Sequence, residues 1–230
     1  MFYYYDPTYS LVLIGVVICM LASSRVNHVF RRYASVRSMS GMTGREAAER
    51  ILRANGIYDV QVCHISGHLN DHYDPRNKIL RLSDATYNSP SVAAIGVAAH
   101  ECGHAVQHAV GYAPLKIRGA LVPVANFGST LAWPLILIGL LIRSDAAVLL
   151  INLGILLFSA AVLFQIVTLP VEFNASRRAV QALEKGGMLY GEEIDGTKAV
   201  LRAAALTYVA SAASMILQLL RLIIIGRQDD

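Results

Sequence analysis

Charge is scarce in this chain of 230 residues: Asp, Glu, Lys and Arg together make up 16% of it, against roughly 25% in ordinary soluble domains. With 55% hydrophobic residues and a mean hydropathy of +0.47, the chain is not a disordered polar tract, and it does not resemble an ordinary soluble domain in composition. Cysteine is also sparse. Cys19, Cys63 and Cys102 are too few for a disulfide framework and agree with a reducing compartment. There is no second hydrophobic repeat and no charge in the middle of an apolar run, which argues against a small transporter. The net charge of +4 is what basic loops on one side of a membrane produce, and it makes no case for a nucleic-acid partner. The length suits one compact domain, or one soluble module of about 100 residues with a few spanning helices, and not two independent globular domains.

Four apolar runs are long enough to cross a bilayer core of about 30 Å, which needs about 20 residues of helix. The first covers residues 7–24, preceded by Phe2, Tyr3, Tyr4 and Tyr5, a cluster suited to a headgroup belt. A cleaved signal peptide is the competing reading, but no basic residue precedes the run and no A-x-A site closes it. Residues 121–142 and 146–169 are free of charge and separated only by Arg143, Ser144 and Asp145, the pattern of a transmembrane hairpin. The fourth run, residues 203–225, holds one charge, Arg221, close enough to its end to snorkel to the interface. Twelve basic residues lie between Arg25 and Arg118 and none precedes the first run, so the N-terminus is expected outside. Residues 25–120 and 170–202 then both face the cytoplasm. The resulting order is an N-terminal anchor (1–24), a cytoplasmic module (25–120), a transmembrane hairpin (121–169), a second cytoplasmic segment (170–202) and a C-terminal span with tail (203–230).

Within the module, residues 44–55 have the pattern of a helix with Thr43 as N-cap, Glu46 as capping-box partner and Gly56 as stop. Residues 60–65 alternate weakly as a strand, and residues 72–82 frame DPRN as a hairpin in which Pro75 fits only an edge or a turn. Residues 91–110 form an apolar, Ala-rich helical stretch, started near Ser89 or Ser91 and stopped by Gly111 and Pro114. Such a helix should be buried, so the three histidines and one glutamate that it carries call for a partner.

His100, Glu101 and His104 form HExxH on that helix. At i and i+4 two imidazoles leave one face a turn apart and can converge on one Zn²⁺. Glu101, rotated about 100° from His100, can reach water at the metal as a general base without being a ligand. Cys102 points away and is read as packing, and Gly103 as a place where another backbone comes close. From seven His and seven Glu, chance would produce this pattern in on the order of one such chain in a hundred or two.

A catalytic zinc needs a third protein ligand. The extended pattern HExxHxxGxxH fails, because Gln107 and Val110 occupy its Gly and His positions. His108 lies about 12 Å along the axis from His100, too far to share the ion. A carboxylate from elsewhere remains, and Glu172 is on the right side of the membrane, with Pro170 marking a helix start. Arg177 and Arg178 follow closely, so an ion-paired juxtamembrane carboxylate is the alternative for Glu172. His64, His68 and His72 are spaced for a second metal site only if helical, and the Gly, Asn and Pro around them favour loop and strand. Glu192, Glu193 and Asp195 look like a solvated loop.

The run LNDHYDPRNKILRLSD, then SVAAIGVAAHECGHAVQH, a membrane hairpin and VEFNAS resembles the YugP-like neutral zinc metallopeptidases of bacterial membranes over nearly the whole chain. More distantly it is similar to the HtpX-like membrane metalloproteases. The resemblance implies a mainly α membrane protein with a zincin-like α+β module, and a gluzincin-type site with one Zn²⁺ per chain held by His100, His104 and Glu172, Glu101 being the general base. It also implies that Asp71, His72 and Tyr73 lie on an edge strand where a substrate strand adds. In the HtpX-like pattern an aspartate four residues after the ligand glutamate supports a ligand histidine. Ser176 stands there in this chain, so Asn174 or Ser176 would have to substitute. Tyr208 is a candidate oxyanion helper. The expected function is a four-span zinc endopeptidase acting on membrane or membrane-proximal polypeptides at the cytoplasmic face. The alternative is a non-catalytic metal-binding membrane protein or scaffold.

Overall fold

The computed structural model describes residues 6–142 and 146–228. The aromatic cluster Phe2 to Tyr5 and the residues Arg143 to Asp145 between the two runs of the expected hairpin lie outside them. In chain order the elements are α1 (Tyr9–Ala34), α2 (Gly44–Ala54), β1 (Gln61–Ile65), β2 (His72–Asp74), β3 (Ile79–Ser83), α3 (Val92–Ala109), α4 (Ala113–Leu141), α5 (Ala146–Lys185) and α6 (Glu192–Gln228). They fold into two compact units, residues 1–23, 116–169 and 207–230 in one, and residues 24–115 and 170–206 in the other.

The first unit is a bundle of apolar helices. α1, α4, α5 and α6 are each long and apolar enough to cross a membrane, and their outward faces keep Leu13, Met20, Leu21, Phe127 and Leu137 exposed, as lipid contact requires. The interior is Ala132, Ile136, Phe158, Val162 and Leu222. Gly128 lets α4 close on α5, since a Cβ there would lie 2.4 Å from the Leu157 carbonyl oxygen. Arg221, near the end of the fourth apolar run, has two partners. Its Nη2 donates to Asp6 at 3.2 Å and its guanidinium lies 4.2 Å from the centre of the Tyr9 ring, which leaves 11% of the side chain exposed. This pair joins the start of α1 to the end of α6, so those two chain ends share one face of the bundle.

Three helices run past the boundaries that hydropathy suggests. α1 continues to Ala34 because nothing between Arg25 and Tyr33 breaks a helix. Pro114 opens α4 instead of ending α3, since in a first turn its missing N–H is no loss. Pro170 does not start a helix; it sits inside α5, which runs unbroken for 40 residues. An interior proline costs about 3 kcal/mol. The stripe that follows it offsets that cost: Val171, Ala175, Ala179 and Leu183, four apart, are almost fully buried. Glu192, Glu193 and Asp195 form the first turn of α6, not a loop, where carboxylates face the positive end of the helix dipole. Glu193 also accepts the backbone N–H of Met39 at 2.7 Å.

The second unit packs α2, α3 and the polar parts of α5 and α6 against a three-stranded sheet. α2 begins with the capping box, Thr43 and Glu46 each accepting the other's backbone N–H. β2 and β3 form the antiparallel hairpin, with Tyr73 opposite Leu80, and β1 pairs β3 in parallel. The order β1-β3-β2 leaves β2 at an edge. Ala47, Ala48, Ile51 and Leu52 of α2, Leu80 and Leu82 of β3, and Ile95, Ala98, Ala99 and Cys102 of α3 are the core. So many alanines keep α3 thin, which lets helices and strands close around it.

Candidate metal centre

α3 starts at Ser91, whose hydroxyl accepts the Ala94 N–H at 3.2 Å. Its helical spacing puts His100 and His104 on one face with their rings edge to face, centroids 4.8 Å apart. The opposing wall is α5. Gly103 makes the approach possible: a Cβ there would lie 2.5 Å from the Ala175 carbonyl oxygen and 3.0 Å from its Cα. Three residues before Ala175, Glu172 projects between the imidazoles, its Oε2 3.2 Å from His100 Nε2 and 3.5 Å from His104 Nε2. All three side chains are nearly buried, at 13%, 12% and 3% exposure.

These residues form a group able to hold a metal ion, with ligand atoms all within 4.8 Å of one another. The separations themselves test the fit. Two donors each 2.0–2.1 Å from a tetrahedral zinc are about 3.3–3.4 Å apart, and the two separations from Glu172 to the imidazoles, 3.2 and 3.5 Å, bracket that. Two imidazoles and one carboxylate are also a donor set that suits zinc. His100 Nε2 hydrogen-bonds the Glu172 carboxylate, and His104 Nε2 lies 3.5 Å from it. Burial works to raise the Glu172 pKa, but the contacts with His100 and His104 prevail and hold it well below the usual carboxylate range. Burial works to lower the His104 pKa, but the Glu172 contact prevails and raises it.

Glu101, one residue on from His100, leaves α3 on the side of the sheet. It is 9% exposed, and its Oε2 accepts the backbone N–H of Tyr73 at 2.9 Å. Burial pushes its pKa up, against the pull of the two imidazoles, the direction that makes a carboxylate a better proton acceptor. Cys102 is buried on the far face, its thiol aimed at the Ala48 carbonyl at 3.6 Å and its pKa pushed up by burial, which makes it a packing residue.

Of the edge residues, Tyr73 is the one that hydrogen-bonds Glu101. Asp71 accepts the backbone N–H and hydroxyl of Ser83 at 2.7 and 2.9 Å, tying the approach to β2 onto β3. His72 pairs through Nδ1 with the Asn70 carbonyl at 2.9 Å, and the Tyr73 hydroxyl meets His108 Nδ1 at 2.9 Å. His64, His68 and His72 do not converge. His64 pairs with Asp84, His68 packs edge-on against Phe30, and among the described residues His100, His104 and Glu172 are the only metal-capable group. Ser176 Oγ lies 3.1 Å from His100 Nδ1. Asn174 does not touch a histidine; its Oδ1 accepts from Gln107 Nε2 at 3.0 Å and from Arg178 Nε at 2.8 Å. Tyr208 is on α6 within the helical bundle. Pattern reasoning passed over Gln107, whose Oε1 lies 3.0 Å from His104 Nδ1. Its signal was an amide three residues after a histidine of HExxH on an otherwise apolar helix.

The family model described as "Putative neutral zinc metallopeptidase" matches residues 8–227. A curated Bacillus subtilis (strain 168) protein named "Putative membrane protease YugP" is 48% identical over 212 residues, which cover 91% of this chain and 93% of that protein. No solved structure matches significantly. With nearly all of its length matched and four apolar helices of spanning length, the chain is a membrane protein and belongs to the family described as "Putative neutral zinc metallopeptidase".

Proposed function

We propose that the protein is a membrane-embedded zinc endopeptidase of gluzincin type, which hydrolyses peptide bonds of membrane or membrane-proximal polypeptides at the cytoplasmic face. One observation carries the reading: His100, His104 and Glu172, brought together from α3 and α5, hold donor atoms within 4.8 Å of one another, with Glu101 on the same helix next to His100. Residues 25–120 and 170–202 form the peptidase module in this reading, and the four spans anchor it.

A zinc ion held there supplies Lewis acidity, which makes water nucleophilic near neutral pH and polarises a carbonyl. The chain's own groups carry the proton traffic. Glu101 takes a proton from the attacking water as its oxygen bonds to the scissile carbon. It returns that proton to the amide nitrogen as the C–N bond breaks, leaving a carboxylic acid and an amine. Its raised proton affinity suits both halves of that exchange. Its bond to the Tyr73 N–H fixes the carboxylate against β2, the strand to which an extended substrate adds by backbone pairing. The twelve basic residues between Arg25 and Arg118 support a cytoplasmic position for this module. A site built where α5 leaves the apolar bundle favours loops and unfolded segments over spanning helices.

Cleavage of an unfolded polypeptide by detergent-purified protein supplied with zinc tests the reading. Wild type cuts, and Glu101→Gln, which keeps all three ligands, holds zinc and does not cut. Equal cleavage by both would show that Glu101 is not the base, and zinc binding without cleavage by either would favour the non-catalytic metal-binding alternative.

A further inference from the structure

Gln107 is fully buried, three residues beyond His104 on α3, and it is absent from the ligand set. Its amide makes three hydrogen bonds. Nε2 lies 2.8 Å from the Val171 carbonyl and 3.0 Å from Asn174 Oδ1, while Oε1 lies 3.0 Å from His104 Nδ1.

Donor and acceptor chemistry settles which end of the amide faces the imidazole. A guanidinium only donates, so the Asn174 atom 2.8 Å from Arg178 Nε is its oxygen. That oxygen and the Val171 carbonyl are both acceptors, so the Gln107 group between them is the NH₂. The Gln107 oxygen is therefore turned to His104, whose Nδ1 must carry the hydrogen. In the neutral imidazole Nε2 is then left bare, on the side where Glu172 and His100 converge. His100 has no such constraint: its Nδ1 meets the Ser176 hydroxyl, which can rotate to donate or to accept.

We infer that Gln107 is a positioning residue, which presets His104 in the metal-binding tautomer and orients its ring through the chain Arg178, Asn174, Gln107, His104. Three of these side chains are anchored on α5 or on its backbone, so the same helix that supplies Glu172 also sets the tautomer of the second imidazole. An acceptor behind a ligand histidine fixes its orientation and raises its basicity, and its loss typically costs 10–100-fold in metal affinity.

The inference rests on the zinc reading above, and its test separates the two. The zinc dissociation constant is measured by competition with a chromophoric chelator for wild type, Gln107→Met, Gln107→Glu and Asn174→Leu, with the unfolding temperature of each metal-free protein recorded alongside. Gln107→Met removes the acceptor and is expected to weaken zinc by about 10–100-fold. Gln107→Glu keeps an acceptor toward His104 and loses the donors to Val171 and Asn174. It should lower the unfolding temperature yet hold zinc far better than Gln107→Met. If Gln107→Met does not fold, Asn174→Leu decides, because it frees the Gln107 amide to turn and should weaken zinc several-fold. Wild-type affinity in Gln107→Met, or in Asn174→Leu if that arm decides, would overturn the inference. So would equal losses in the Met and Glu variants, which mark a merely structural role. A wild-type protein that binds no zinc would overturn the functional reading itself.

Discussion

The contact between α3 and α5 at Gly103 is where the packing of the module and the geometry of the proposed metal ligands meet, and a single methyl group tests it. In Gly103→Ala the new Cβ would stand 2.5 Å from the Ala175 carbonyl oxygen, whereas ordinary contact begins at 3.4 Å. The helices must therefore separate by about 0.9 Å, because the atoms in the way are backbone and cannot turn aside. Overpacking of this kind costs about 1–3 kcal/mol, and in a chain of this size each kcal/mol lowers the unfolding temperature by roughly 2–4 °C. The effect on the site is larger. His100 and His104 ride on α3 and Glu172 on α5, and metal sites tolerate ligand displacements of only about 0.2 Å. Zinc affinity should therefore fall more than tenfold while the helix content stays that of wild type. Chelator competition and thermal unfolding, with and without zinc, read both effects. Gly119→Ala is the control: a Cβ there meets nothing within 4 Å, so the same substitution should leave zinc binding alone and stabilise α4 slightly. If Gly103→Ala keeps wild-type zinc affinity and unfolding temperature, the close approach of α3 and α5 is not what assembles the site.

The remaining predictions concern charge and thiol chemistry. Asp6→Asn should lower thermal stability in detergent more than Arg221→Leu does, because it leaves an almost buried guanidinium without its counter-charge; the reverse order would contradict the pairing. In metal-free protein the depressed Glu172 pKa contributes stability that is complete above the ordinary 4.5 and lost as the pH falls through its folded value. The raised His104 pKa contributes stability that is complete below the ordinary 6.5 and lost as the pH climbs through its folded value, and the raised Glu101 pKa works the same way from 4.5 upward. Chelator-treated protein should therefore unfold at lower temperature near pH 8 than near pH 5, and the stabilisation that zinc adds should grow over the same range, since imidazoles bind only when neutral. Zinc stabilisation that shrinks with rising pH would count against histidine ligation. Finally, Cys102, buried with a raised pKa, should resist alkylation until the protein unfolds, as mass spectrometry of labelled peptides can check.

Much of this architecture is legible in the sequence because its signals are local. Runs of about 20 mostly uncharged residues mark the four long apolar helices, Thr43 with Glu46 marks the start of α2, and DPRN marks the hairpin of β2 and β3. Glycine at 103 inside an alanine-rich helix points to a close backbone, and the Ala175 carbonyl is there. The features that escape a reading of the chain depend on distant partners. The parallel pairing of β1 with β3 passes over β2 in sequence. The continuity of α5 through Pro170 comes from a buried stripe that a local rule about proline ignores. Gln107 looks like a failed zinc-ligand pattern until Val171 and Asn174, 64 and 67 residues later, are brought against it.

Zinc per chain is the most direct test of the central claim, measured by elemental analysis on detergent-purified wild type, His104→Ala, Glu172→Ala and Glu101→Gln. The account predicts about one zinc in wild type and in Glu101→Gln, and little or none in His104→Ala and Glu172→Ala. Full zinc in Glu172→Ala would mean that the third ligand lies elsewhere, and no zinc in any of the four would contradict the account.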